Sequence, residues 1–217
     1  MLTKTDKEYI KKGCHDISNI ISLISGNYQL LEITEPSLKG NSRWEQLGDN
    51  IRMLIDAMAA ISLYRYSDHV EPVPVDTVSF IKEIIDNVRT RTHTAMLDLS
   101  LSTDSSVPMI SADKEKISYI INSLMDNIAD CRTTGSASVK ITYDNSNVYI
   151  RIADTLPGFD SNTLSHLFEP FNSCKSDHIG LSLASSHNIM AAHGGELTRC
   201  ENPDGGSTFT LRFPLSV

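Results

Sequence analysis

From the start of the chain to Arg65, apolar side chains recur at alternating spacings of four and three. Ile10, Cys14, Ile17, Ile21, Ile24, Tyr28 and Leu31 form one such series. Trp44, Leu47, Ile51, Leu54, Met58 and Ile61, ending on Arg65, form a second. This spacing lays a stripe along a helix and buries it against partner helices. It predicts one helix from about Asp6 to Ile33 and another from about Ser42 to Tyr66. Thr34 to Asn41 interrupts them with Pro36 and Gly40, and Ser42-Arg43-Trp44-Glu45 reads as a capping-box start. Helices joined by so short a connection fold back as an antiparallel hairpin. Each also carries apolar residues off its stripe: Ile20, Leu23 and Leu30 on the first, Met53 and Ile55 on the second. One hairpin cannot bury them all. Two hairpins paired as a four-helix bundle would, which predicts a homodimer. The alternative is that the surplus face packs on the rest of the chain.

The pattern changes after Ser67-Asp-His-Val-Glu-Pro-Val-Pro74, a proline-bearing linker. Residues 1–67 therefore read as one domain and 73–217 as a second. In the second, Asp76 or Thr77 caps a helix to about Thr92, Met96 to Ser102 alternates as a strand, and Val107 to Ser111 is a short strand. Asp113 caps a helix to about Cys131 with Ile117, Ile120, Ile121, Leu124 and Ile128 on its apolar face. Ala137–Tyr143 and Val148–Ala153 form a hairpin across Asp144-Asn-Ser-Asn. A short helix follows over about Ser161 to Phe168, and a longer one from near Ile179 to the glycine cap at His193-Gly194-Gly195. Glu196–Glu201 and Ser207–Leu215 are the last strands. Mostly antiparallel strands interleaved with three long helices predict an α+β fold, a two-layer α/β sandwich.

The formal net charge of −8 and the lack of a basic cluster argue against nucleic acid as a partner. The sequence has no apolar run of about 18 residues, so direct membrane insertion is not expected. Cys14, Cys131, Cys174 and Cys200 are scattered, which predicts free thiols, a cytoplasmic protein and no zinc site.

Several segments carry chemistry. His15 lies one residue past a stripe position, at the edge of the bundle, with Asp16 beside it and Asn19 one helical turn on. Asn127 sits in Asn122-Ser-Leu-Met-Asp-Asn127-Ile-Ala-Asp130. Such an asparagine is either a structural hydrogen bonder or a hard oxygen ligand for Mg²⁺. Asp154 ends a strand ahead of Thr155-Leu-Pro-Gly158; it accepts a bond from an exocyclic amine or closes an Asx turn. Gly158 permits close backbone approach to a ligand. Leu167-Phe168-Glu169-Pro170-Phe171 is an apolar clasp before a polar loop holding Lys175, which can meet a phosphate. Gly180-Leu-Ser-Leu-Ala184 then opens a helix whose first amides can hold an anion.

In this order the segments resemble the core of two-component sensor histidine kinases. The resemblance identifies His15, Asp16 and Asn19 with the phosphoacceptor H-[DE]-x-x-N box. It identifies the second domain with the ATP-binding domain of the GHKL superfamily. Asn127 matches the Mg²⁺-ligating asparagine of the N box, with Asp130 in the same segment. Asp154 and Gly158 match the adenine-reading aspartate and second glycine of D-x-G-x-G. Phe168 to Phe171 matches the F box, Lys175 the lysine after it, and Gly180 the first glycine of G-L-G-L. His193-Gly194-Gly195 matches the closing H-G-G. The sequence departs from the pattern at Leu156, His178 and Ser182, which replace glycines, and at Ser123, which replaces the first N-box asparagine.

The resemblance implies ATP and Mg²⁺ as cofactors and a response-regulator receiver domain as partner. The leading expectation is a histidine kinase in which His15 attacks the γ-phosphorus while Asp16 polarises its other ring nitrogen. The replaced glycines also resemble histidine phosphotransferases, which keep this shape without binding ATP. That gives a second expectation, phosphate shuttling through His15. A module that only sequesters a regulator is a third.

Overall fold

The computed structural model describes residues 4–91, 98–129, 136–155, 166–173 and 179–215, with side chains from residue 12 onward and at Tyr9. The described residues fall into two compact units, one running to Arg65 and taking in Ile179, the other holding the remaining residues from Tyr66 onward.

The first unit is the helical hairpin. Helix α1 spans Lys4–Thr34 and α2 spans Ser42–Arg65, joined by a 3-10 turn at Pro36–Leu38. The start of α2 differs in detail from the capping box expected at Ser42. Asn41 takes the cap: its Oδ1 accepts from the Arg43 and Trp44 amides at 3.0 and 3.3 Å, and its carbonyl accepts from Glu45. The stripe does bring the helices together. Ile21 and Ile51 are buried, and the Tyr28 and Trp44 rings stack with centroids 4.3 Å apart. Much of it is left bare within one chain, however. Ile17 is 49% exposed, Leu54 49% and Leu31 44%, and off the stripe Leu23 is 69% exposed.

The second unit is a sheet with helices packed on one face. Among the described residues its strands are β2 (Asp98–Thr103), β4 (Ser136–Tyr143), β5 (Asn147–Asp154), β7 (Ser207–Pro214) and β6 (Glu196–Glu201), side by side in that order. The β2–β4 pairing is parallel and the others are antiparallel. Strands β1 (Val73–Val75) and β3 (Ile110–Ala112) make a separate two-stranded ribbon. The strand expected at 107–111 therefore sits later, because Val75 pairs with Ile110 and fixes the register. Helices α3 (Thr77–Thr90), α4 (Lys114–Ala129) and α5 (Ser182–Ala192) supply the other layer.

The reason for two layers is in the alternation. Along β5, Val148, Ile150 and Ile152 are buried, and along β7 so are Phe209, Leu211 and Phe213. They meet Ile81, Ile85, Ile117, Ile121, Leu124 and Ile189 from the helices in one core. Each such side chain contributes about 1.5–3 kcal/mol when fully buried. Caps fix where the helices begin. Asp76 accepts from the Ser79 amide at 2.8 Å, and Asp113 from the Lys116 amide at 3.2 Å. The end of α5 is tied to the start of α4 through His193. Its Nδ1 donates to the Ile189 carbonyl at 2.7 Å, and its Nε2 accepts from the Asp113 amide at 2.9 Å. That arrangement requires a neutral ring with its hydrogen on Nδ1 and gives the histidine of the H-G-G segment a structural task. Helix α5 begins at Ser182 rather than near Ile179. The helix expected from Ser161 has its first five positions outside the described residues, and 166–168 form a turn.

Candidate functional site

His15 projects from α1 with its side chain 73% exposed. Asn19 lies one turn further on, and its Nδ2 is 3.2 Å from His15 Nδ1. Asp16 Oδ1 is 3.6 Å from the same nitrogen. Asn19, not Asp16, is thus within hydrogen-bond distance of Nδ1. A nitrogen that accepts from the Asn19 amide leaves the neutral ring's hydrogen on Nε2.

The second cluster is at the end of β5. Antiparallel register opposes Ala137 to Asp154. The β5–β7 pairing of Ala153 with Thr208 carries on to set Asp154 beside Ser207. The inward phase of both strands turns Asp154 and Ser207 to the helix side. Asp154 is only 6% exposed. Its Oδ1 accepts from the Ser207 amide at 3.4 Å and its carbonyl from Asn202 Nδ2 at 3.0 Å. Asn202 is itself fixed by Thr208, whose hydroxyl donates to its Oδ1 at 2.6 Å. Gly206 closes the cluster. At φ +87 it adopts a backbone that side chains resist, and a Cβ there would strike the Asp154 carbonyl. A buried, oriented carboxylate at a strand end can accept from an exocyclic amine. A cleft at this end of the sheet is lined by Asp98, Ser138, Asp154, Thr155 and Asn202 among others.

The segment leading into α5 is partly described. Gly180 has φ +69, and a Cβ on it would meet the Asn172 backbone; Phe171 donates to its carbonyl at 3.0 Å. Helix α5 begins with no side-chain cap at Leu181. Its first amides are therefore turned to whatever lies before the helix, a suitable arrangement for an anion. Asn127 is half-buried on α4, one turn beyond Ser123. Burial pushes the Tyr119 phenol up, and the nearby Ser185 and Ser123 hydroxyls partly offset it. Ser123, where the sequence pattern has an asparagine, lies near the Tyr119 phenol. Asp130, Gly158 and Lys175 lie outside the described residues, as do Leu156 and His178.

Sequence reasoning missed Asn202, Gly206, Ser207 and Arg199. Arg199 donates to Ser207 Oγ through Nε at 3.1 Å and Nη2 at 2.8 Å, with its side chain 7% exposed. The signal was present: in the alternation of β6, Arg199 falls in the inward phase set by Leu197.

Residues 112–217 match the family of histidine kinase-, DNA gyrase B- and HSP90-like ATPases. Over 150 residues the chain is 27% identical to the sensor histidine kinase ZraS of Escherichia coli K12, covering 69% of this chain and 32% of the relative. Over 212 residues it is 26% identical to the signal transduction histidine-protein kinase AtoS of the same organism, covering 93% of this chain and 34% of the relative. The chain thus spans about a third of these curated relatives. In fold it is similar to full-length ShkA in complex with AMPPNP, with TM-score 0.78 and 22% identity over 97% of this chain and 46% of the other. It is also similar to Acinetobacter baumannii histidine kinase AdeS, with TM-score 0.66 and 18% identity over 91% of this chain and 96% of the other. The C-terminal unit is an ATPase domain of the GHKL type. Joined to the helical hairpin, it gives the chain a likeness to the catalytic core of two-component histidine kinases.

Proposed function

We propose that the chain is an ATP-dependent protein histidine kinase that phosphorylates His15 and passes the phosphoryl group to an aspartate of a response-regulator receiver domain. The observation that carries this reading is Asp154: buried, held by Ser207 and Asn202, and packed closely against the Gly206 backbone. That cluster fits adenine, with Asp154 accepting from the amine. The uncapped start of α5 suits the phosphates. Asn127 would hold Mg²⁺, which supplies charge neutralisation on the phosphates when bound. In the transfer, His15 Nε2 forms the bond to the γ-phosphorus while the bond to the ADP oxygen breaks. Nε2 needs its lone pair for this, so the ring hydrogen must sit on Nδ1. The Asn19 amide contact therefore opens or turns over first, and Asp16 accepts from Nδ1 in its place.

We also read the hairpin as a homodimer, two copies covering the bare stripe in a four-helix bundle whose rim presents His15 to the receiver domain. Residues 1–67 form the dimerisation and phosphoacceptor domain and 73–217 the ATP-binding domain. No described helix is long and apolar enough to cross a membrane. A cytoplasmic site of action accords with that.

The test is incubation with Mg-ATP followed by detection of acid-labile phosphate. Wild type should label and His15→Ala should not, with its melting temperature unchanged because the side chain is exposed. An unlabelled wild type whose His15 accepts phosphate from a phosphorylated receiver would replace the kinase reading with the phosphotransferase one. The replaced positions Leu156, His178, Ser182 and Ser123 favour that alternative.

A further inference from the structure

The sheet has two faces, and the helices cover one of them. On the other face the register lines up one residue from each strand. Ser102 lies opposite Lys140, Lys140 opposite Arg151, Arg151 opposite Thr210, and Thr210 opposite Thr198. At strand spacings of about 4.8 Å the row is about 19 Å long. Its centre is a lysine directly across from an arginine, and like charges so placed repel and destabilise a sheet. The next row on the same face shows the usual remedy: Arg212 stands opposite Glu196 and bonds it at 3.4 Å. Lys140 and Arg151 have no carboxylate partner among the described residues. Arg151 is nevertheless held still. Its Nη1 donates to Thr142 Oγ1 at 2.5 Å, and its guanidinium lies 4.9 Å from the centre of the Tyr149 ring. The Asp144 carboxylate is taken up by the Tyr149 hydroxyl and by the Ser146 and Asn147 amides. A cation fixed in advance beside a second one receives an anionic group at little ordering cost.

We propose that this open face is a docking surface for an extended acidic polypeptide segment, whose carboxylates lie on Lys140 and Arg151 while Ser102, Thr210 and Thr198 bond its polar groups. The length of the row suits a segment laid across the strands. Charge decides between this partner and a larger anion. A membrane or a nucleic acid spreads its charge over the whole domain and meets the net charge of −8. A single segment meets the row alone. The surface owes nothing to the nucleotide site and stands or falls separately from it.

The experiment is fluorescence anisotropy of the full chain with a labelled peptide of alternating glutamate and serine, and with its glutamine counterpart. At low salt the glutamate peptide should bind with Kd below about 1 mM, and about 0.5 M salt should abolish binding. The glutamine peptide should bind at least about tenfold more weakly. Lys140→Gln with Arg151→Gln should raise Kd about tenfold, as the loss of two exposed ion pairs implies. Lys82→Gln with Lys114→Gln makes the same change in net charge on α3 and α4, and should leave Kd within about twofold. Lys140→Gln alone should keep or raise the melting temperature, because it relieves the repulsion. A lower melting temperature with unchanged peptide affinity would make the lysine structural and overturn the proposal. So would an equal loss in both double variants, which is an effect of net charge only. Wild type that ignores the peptide, or that binds phosphatidylserine vesicles in its place, overturns it too. If the Lys140 and Arg151 double variant does not fold, Lys140→Gln decides: an unchanged affinity overturns the proposal.

Discussion

Asp154→Asn tests the base-recognition step by removing the side chain's charge at nearly constant shape. The backbone bond from Asn202 goes to the Asp154 carbonyl and is untouched by the substitution. The Ser207 amide can still bond to the remaining side-chain oxygen. What is lost is the negative charge and one acceptor, replaced by an NH₂ that meets the adenine amine donor to donor. The carboxylate is 6% exposed, so water screens the loss poorly. A hydrogen bond to a charged group contributes about 1.5–3 kcal/mol net, which corresponds to about a 10- to 150-fold rise in Kd. Isothermal titration with ADP, with and without Mg²⁺, measures this directly. A melting curve and a far-UV spectrum on the same sample confirm that the variant is folded. Folded Asp154→Asn that binds ADP within about twofold of wild type would refute the assignment, since the calculation allows no such result.

Two further outcomes follow from the fold. Ile17→Glu with Leu54→Glu places charge on stripe positions that are half-exposed within one chain; light scattering should turn from dimer to monomer while helicity persists, and a monomeric wild type at micromolar concentration would remove the dimer. Asp144 accepts from the Ser146 amide, the Tyr149 hydroxyl and the Asn147 amide, all at 2.8 Å, and these bonds lower its pKa from 3.8. Its stabilising contribution is therefore complete above that value and is lost as pH falls through the lower folded one. The melting-temperature gap between wild type and Asp144→Asn should close in acid below it, and a gap that persists there would count against the assignment.

How much of this was legible in the sequence depends on the range of the interaction. The hairpin could be read because one helix face obeys a local spacing from Cys14 to Leu31, and the caps could be read to within a residue. Asn41 displaced Ser42 only because a side-chain oxygen one position earlier reached both free amides. The register of β3 was not legible, since Val75, thirty-five positions earlier in the chain than its partner Ile110, decides it. The site divides in the same way. Asp154 could be found from its place at a strand end. Its supports could not, because Ser207 and Asn202 reach it from 53 and 48 residues away. Arg199 shows what a stricter reading would gain. A charge in the inward phase of an amphipathic strand has to be paired or it destabilises the fold, so the question of its partner can be asked before any coordinates exist. Here the partner is Ser207, and Ser207 adjoins Asp154. That ties the Arg199 guanidinium, through Ser207, to the Asp154 cluster. Under the proposed reading the base end is thus built from long-range contacts that fix donors and acceptors. This is why the base, rather than the phosphates, is where nucleotide recognition should be probed first.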